Sequence, residues 1–170
     1  LLNTWVCIFQ SAEEKKLEED LFALPDVSFT KISAANELPI KYMLRIKQPL
    51  DHKDRSRGEF YQRVILTHQG YQQPTLMQTQ GYELYKGKNE LEAALKANHL
   101  NIEHRYFGES VPDSIQWQYL TLEQVTADLH KINQLFKPMY KNKWISTGIS
   151  KGGQTTIFYK FFYPDDVDVS

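Results

Sequence analysis

The chain of 170 residues is 41% hydrophobic and 13% aromatic with a net charge of −1, which is too much core material for a disordered chain. A single cysteine, Cys7, excludes a disulfide-stapled scaffold, and no apolar run approaches the roughly 20 residues of a membrane span. Near-neutral charge removes any electrostatic case for nucleic acid or anionic lipid.

Leu1 to Phe9 is mostly apolar, Ser11 and Ala12 are small, and a charged run follows from Glu13 to Asp20. That order matches the tail of a secretory signal segment, its cleavage site and a polar mature start. Residues 1–12 are therefore expected to be a signal-peptide remnant, with an amphipathic first helix as the alternative. Residues 13–39 are read as a lead-in, and the protein is expected to be secreted or periplasmic.

Ile40 to Ile46 alternates and predicts a strand, Gln48 to Gly58 a polar loop, and Glu59 to His68 a second strand. After a turn at Gly70 and Pro74, Thr75 to Thr79 predicts a third. Leu91, Ala94, Leu95 and Leu100 recur at near-helical spacing behind Asn89, an N-cap residue. Leu100 to Tyr106 reads as a strand leading into a loop. Thr121-Leu122-Glu123-Gln124 fits a capping box, and Leu122, Val125, Leu129, Ile132 and Phe136 form one apolar stripe that Pro138 ends. Lys143 to Thr147 predicts a strand, and Gln154 to Phe162 a helix. A hairpin followed by alternating strands and helices predicts an α/β fold with a parallel sheet.

Between the last strand and helix stands Gly148-Ile149-Ser150-Lys151-Gly152-Gly153. G-x-S-x-G in that context is the signature of a nucleophilic serine on a sharp turn, its small neighbours leaving room for a strained backbone. The following helix points its N-terminus at the site and favours developing negative charge. The Lys151 amide is then one oxyanion donor, and the amide of Tyr82, after Gln80-Gly81, is the candidate for the second. An ordinary βα turn with Ser150 as N-cap is the competing reading. A serine nucleophile needs a base, yet His52, His68, His99, His104 and His130 all precede Ser150, whereas this arrangement places its histidine late. His104 is the one histidine in a loop expected near the site. No cysteine, histidine or carboxylate set has metal-ligand spacing, so neither metal nor cofactor is expected.

Gln48-Pro49-Leu50-Asp51-His52, Phe60-Tyr61-Gln62-Arg63 and the block from Glu103 to Ser110 resemble the N-terminal half of the prolyl-carboxypeptidase-like serine peptidases. With Thr79-Gln80-Gly81-Tyr82, Trp117 to Thr121 and the Ser150-Lys151-Gly152-Gly153 turn added, the resemblance is strongest to the bacterial secreted tripeptidyl aminopeptidases (PS-10). It implies an α/β-hydrolase fold, truncated here after the helix that follows Ser150, and release of short peptides from peptide N-termini outside the cytoplasm. Ser150 matches the nucleophile, and the Lys151 and Tyr82 amides match the oxyanion positions. The triad's acid and histidine are expected beyond residue 170, so residues 40–170 are read as half of a peptidase domain, inactive alone. An aminopeptidase also needs an anion for the substrate's α-ammonium, and Glu83, Glu103 and Glu109 are the candidates, with Arg105 as an ion-pair partner for one of them. Peptides are the expected partners, with no nucleic acid and no membrane insertion. An esterase or acyltransferase on the same fold, or a non-catalytic binding module, are the rivals.

Overall fold

A computed structural model describes residues 10–34, 37–85, 87 and 89–170. Its centre is a six-stranded mixed sheet in the order β1-β2-β3-β5-β4-β6, with strands β1 (Val27–Lys31), β2 (Ile40–Pro49), β3 (Glu59–His68), β4 (Thr75–Thr79), β5 (Asn98–Ile102) and β6 (Trp144–Gly148). The antiparallel hairpin of β2 and β3 pairs Leu44 with Val64 and runs from Ile40 opposite His68 to Pro49 opposite Glu59. The turn at Gly70 closes no second hairpin, because β5 lies between β3 and β4. β4 runs parallel to both β5 and β6. Both faces of β4 and β5 are buried, as parallel strands under helices require, whereas β2 alternates buried and half-exposed positions.

Among the described residues four α-helices connect or flank these strands: α1 (Ala12–Ala23), α2 (Glu90–Leu95), α3 (Leu122–Phe136) and α4 (Lys151–Phe162). Leu17 and Leu21, one turn apart on α1, join Leu44, Leu66, Met77 and Leu100 of the sheet and Ile132 and Phe136 of α3 in one core. The Ser11 hydroxyl caps α1, accepting from the Glu14 amide at 3.0 Å. Residues 1–9, most of the expected signal remnant, lie outside the described residues. The stretch read as a lead-in, 13–39, carries most of α1 and all of β1.

α2 stops after Leu95 because Lys96 turns left-handed at φ 48°, so Leu100 belongs to β5 rather than to the helical stripe. α3 begins and ends where its stripe predicts. Its capping box is half formed: the Thr121 hydroxyl accepts from the Gln124 amide, but the Gln124 side chain binds the Asp51 carboxylate and the His52 amide instead. After α4, Val169 bridges in parallel to Ile145 on the outer edge of β6. No helix among the described residues is long and apolar enough to cross a membrane.

Candidate active site

The chain leaves β4 for β5 on one side and returns past β4 to β6 on the other, so the carboxyl ends of the three parallel strands flank a switch in strand order. In open α/β sheets a crevice forms there. Only two residues separate β6 from α4, and the second, Ser150, has φ 55° and ψ −122°. A non-glycine residue there stores about 1–3 kcal/mol. Crowding imposes it. A Cβ on Gly148 would lie 2.3 Å from the Gly152 carbonyl carbon, and one on Gly152 would lie 2.2 Å from the Thr79 carbonyl oxygen. Thr79 Oγ1 donates to the Gly152 carbonyl at 2.7 Å, tying the turn to the end of β4. The Ser150 side chain makes no capping bond to α4 and is exposed, which removes the N-cap reading.

Gly81 abuts the same turn: a Cβ there would meet Lys151 Cβ at 2.7 Å and the Gly152 nitrogen at 3.0 Å. The Gly81–Tyr82 peptide thus lies against the first turn of α4. Neither the Lys151 nor the Tyr82 amide donates to a protein acceptor among the described residues. A cleft of about 430 Å³ opens over them, lined by Gln78, Gln80, Tyr82, Glu83, Tyr85, Ile149 and Ser150. A cavity of about 450 Å³ at the amino end of β6, beside Lys141 and Trp144, is remote from this chemistry.

Of the three candidate carboxylates, Glu83 is exposed and lines the cleft. Glu103 is fully buried and has no face left for a ligand. Its oxygens accept from Arg63 at 2.7 and 3.0 Å, the Ser110 hydroxyl at 2.6 Å, and the Leu84 and Glu109 amides at 3.1 and 3.2 Å. Burial alone would raise its pKa, but Arg63 and the hydrogen bonds outweigh that and hold it below the usual carboxylate value. Gly108, at φ 56°, is required because a Cβ there would sit 2.1 Å from Glu103 Oε1. Glu109 pairs with Arg63 Nη1 at 2.6 Å and borders a separate groove with Arg45 and Tyr61. Glu103 is thus engaged as a buried structural anion, and Glu109 lines that separate groove rather than the cleft at Ser150.

Arg105 also differs from its expected role. It pairs with none of these glutamates but forks onto Asp128 of α3, with Nε and Nη2 each 2.7 Å from a carboxylate oxygen. Its remaining protons reach the Pro49, Leu50 and Tyr119 carbonyls. Asp128 also accepts from His52 Nε2 at 2.7 Å. Asp128 and Arg63 escaped the sequence reading of the site; their signal was membership of polar blocks on separate elements, which spacing along one element cannot reveal.

No histidine bonds Ser150 among the described residues. His52 bonds Asp128, His68 bonds Tyr140 and Glu13, His99 bonds Glu92, and His130 bonds Asp166. His104 donates from Nδ1 to the Arg105 carbonyl at 2.8 Å. Burial drives its pKa down to about 4, the Arg105 carbonyl opposing and the Lys151 charge assisting. It is neutral near pH 7.

The family model for PS-10 peptidase S37 matches residues 12–170. The prolyl tri/tetrapeptidyl aminopeptidase of Streptomyces mobaraensis is 29% identical over 164 residues, which are 93% of this chain and 33% of that protein. The chain thus spans about a third of this curated relative. Among solved structures, acetyl xylan esterase 1 from Thermoanaerobacterium sp. JW/SL YS485 superposes with a TM-score of 0.59 at 13% identity, covering 91% of this chain and 56% of the other. The acetyl xylan esterase from Paenibacillus sp. R4 gives 0.55 at 15% identity, covering 85% and 52%. These likenesses establish the fold as α/β-hydrolase and go no further.

Proposed function

Because the chain belongs to the PS-10 peptidase S37 family, we propose that Ser150 is the nucleophile of a serine aminopeptidase that removes short peptides from peptide N-termini outside the cytoplasm. The observation that carries this is the Ser150 turn: a strained, exposed serine that shares a cleft with Tyr82, the Lys151 and Tyr82 amides donating to no protein acceptor among the described residues. Ser150 Oγ bonds to the scissile carbonyl carbon while its proton passes to a base. The carbonyl electron pair moves onto oxygen, where the Lys151 and Tyr82 amides and the N-terminus of α4 stabilise it. Collapse expels the leaving amine, which takes the proton, and water then releases the acyl group from Ser150. None of the five histidines bonds Ser150, and the chain spans about a third of its curated relative, so the base and its acid partner are proposed to lie in the rest of such a protein. Glu83, in the cleft wall, is assigned to the substrate's α-ammonium.

The test uses the full-length protein, a fluorophosphonate probe, and tripeptidyl anilides with free or acetylated N-termini. Label on Ser150 and loss of turnover by about a thousandfold or more in Ser150→Ala are expected. Glu83→Gln is expected to raise KM for the free-amine substrate and leave the acetylated one unchanged. Label elsewhere, or turnover surviving Ser150→Ala, overturns the nucleophile. Equal losses on both substrates overturn the role of Glu83, and ester turnover without peptide turnover overturns the peptidase.

A further inference from the structure

The Lys151 ammonium lies 4.3 Å from the centre of the Phe107 ring and 4.9 Å from that of Tyr82. Those rings meet edge to face at 5.2 Å, and His104 packs edge to face on Phe107 at 5.4 Å. Burial is what lowers the Lys151 pKa, with no carboxylate opposing it. Among the described residues its charge is therefore held by aromatic faces rather than by an ion pair, an attraction that grows as the group is desolvated.

The three partners come from three segments: the first turn of α4, the loop after β4 and the loop after β5. Tyr82 is gripped at two points, its ring by Lys151 and its carbonyl by the His104 amide, which donates to it at 3.0 Å. Gly81, immediately before it, is pressed against Lys151 Cβ. We infer that the Lys151 side chain is a positioning residue: by clamping Tyr82 and Phe107 it fixes the Gly81–Tyr82 peptide against α4, and with it the separation of the two oxyanion amides. The catalytic half of this inference rests on Ser150 being the nucleophile, whereas the clamp stands on geometry alone. A preorganised pair of donors stabilises an oxyanion because nothing has to reorganise as charge develops. A clamp that lets one donor drift lowers kcat and leaves ground-state binding intact.

The test compares Lys151→Met, which keeps length and loses charge, with Lys151→Arg, which keeps a cation for the rings, in the full-length protein. Hydrogen exchange at the His104 amide reports the clamp without reference to chemistry. Turnover of a tripeptidyl anilide and the rate of phosphonylation of Ser150 report the consequence. Lys151→Met is expected to speed His104 exchange and to lower kcat and phosphonylation about tenfold at unchanged KM, with Lys151→Arg restoring both to within about threefold. Combining Lys151→Met with Phe107→Leu and Tyr82→Leu should add little to the loss. Exchange in Lys151→Met at the parent rate overturns the clamp whatever Ser150 does. Faster exchange with unchanged kcat, or a loss that Lys151→Arg does not rescue, overturns its catalytic consequence. A parent protein that takes no label at Ser150 overturns the hydrolase reading itself, and is distinguished because exchange is read separately.

Discussion

At Gly152 a single added methyl group would meet the Thr79 carbonyl oxygen at 2.2 Å, and a backbone atom in a buried strand has nowhere to go. Gly153 is the natural control, since a Cβ there would meet the Gly148 oxygen at 3.2 Å, a contact a small shift relieves. Gly152→Ala is therefore expected to destabilise the protein by about 1–3 kcal/mol and to slow Ser150 phosphonylation at least about tenfold, whereas Gly153→Ala stays close to the parent in both. Urea midpoints and labelling rates check it; equal effects at the two positions would remove the steric account of the turn. The requirement for glycine at 148 and 152 was legible from the G-x-S-x-G pattern, although only Gly148 is crowded from within the turn, whereas Gly152 is crowded by the Thr79 carbonyl of β4. The requirement at Gly81 was not legible, because it makes way for Lys151, distant along the chain, and Gly108 makes way for the nearby Glu103 carboxylate, whose placement depends on the distant Arg63. Glu103 misled because its partner Arg63 lies 40 residues upstream, on β3.

α3 is the element whose polar positions anchor the loops after β2 and β5. Its apolar stripe, legible from Leu122 to Phe136, buries Leu129, Ile132 and Phe136. Its polar positions Gln124 and Asp128, one turn apart, hold Asp51, His52 and Arg105. Periodicity found the stripe because burial on one face repeats along the helix. It missed the polar pair, whose partners sit on the loops after β2 and β5. β1 also went unforeseen: its burial pattern is shallow, alternating half-buried and exposed residues, and pairing with β2 rather than an apolar core defines it. Arg105 places all its N–H groups on acceptors, two on Asp128 and three on backbone carbonyls. Lysine brings three donors and no fork, leaving buried acceptors unpaired. Arg105→Lys is accordingly expected to cost about 3 kcal/mol in chemical denaturation, against less than about 1 kcal/mol for breaking an exposed pair of the Lys15–Glu19 kind. A loss as small as that of the exposed pair would mean that water replaces the arginine's partners.

Across the whole molecule, the buried histidines set how stability responds to acid. His104 has a pKa of about 4 when folded and about 6.5 when unfolded; His68 is also lowered, chiefly by burial and against the pull of Glu13. Below pH 6.5 the unfolded chain takes up protons that the folded chain refuses, so acid favours unfolding. The contribution of neutral His104 is fully present above pH 6.5 and is lost as pH falls towards 4, amounting to about 2 kcal/mol by pH 5 and about 3 kcal/mol by pH 4. Glu103, held below the usual carboxylate value, acts in the same direction but only below about pH 4.5, so the histidines govern the window from 6.5 to 5. His104→Asn removes the titrating group while leaving a side-chain donor for the Arg105 carbonyl. Its stability deficit against the parent is expected to shrink by about 2 kcal/mol between pH 7 and pH 5, read from urea midpoints of the full-length protein. A constant deficit across that range would show that His104 is as free to protonate in the folded protein as in the unfolded chain, and would place the acid sensitivity elsewhere, first on His68 and its contact with α1.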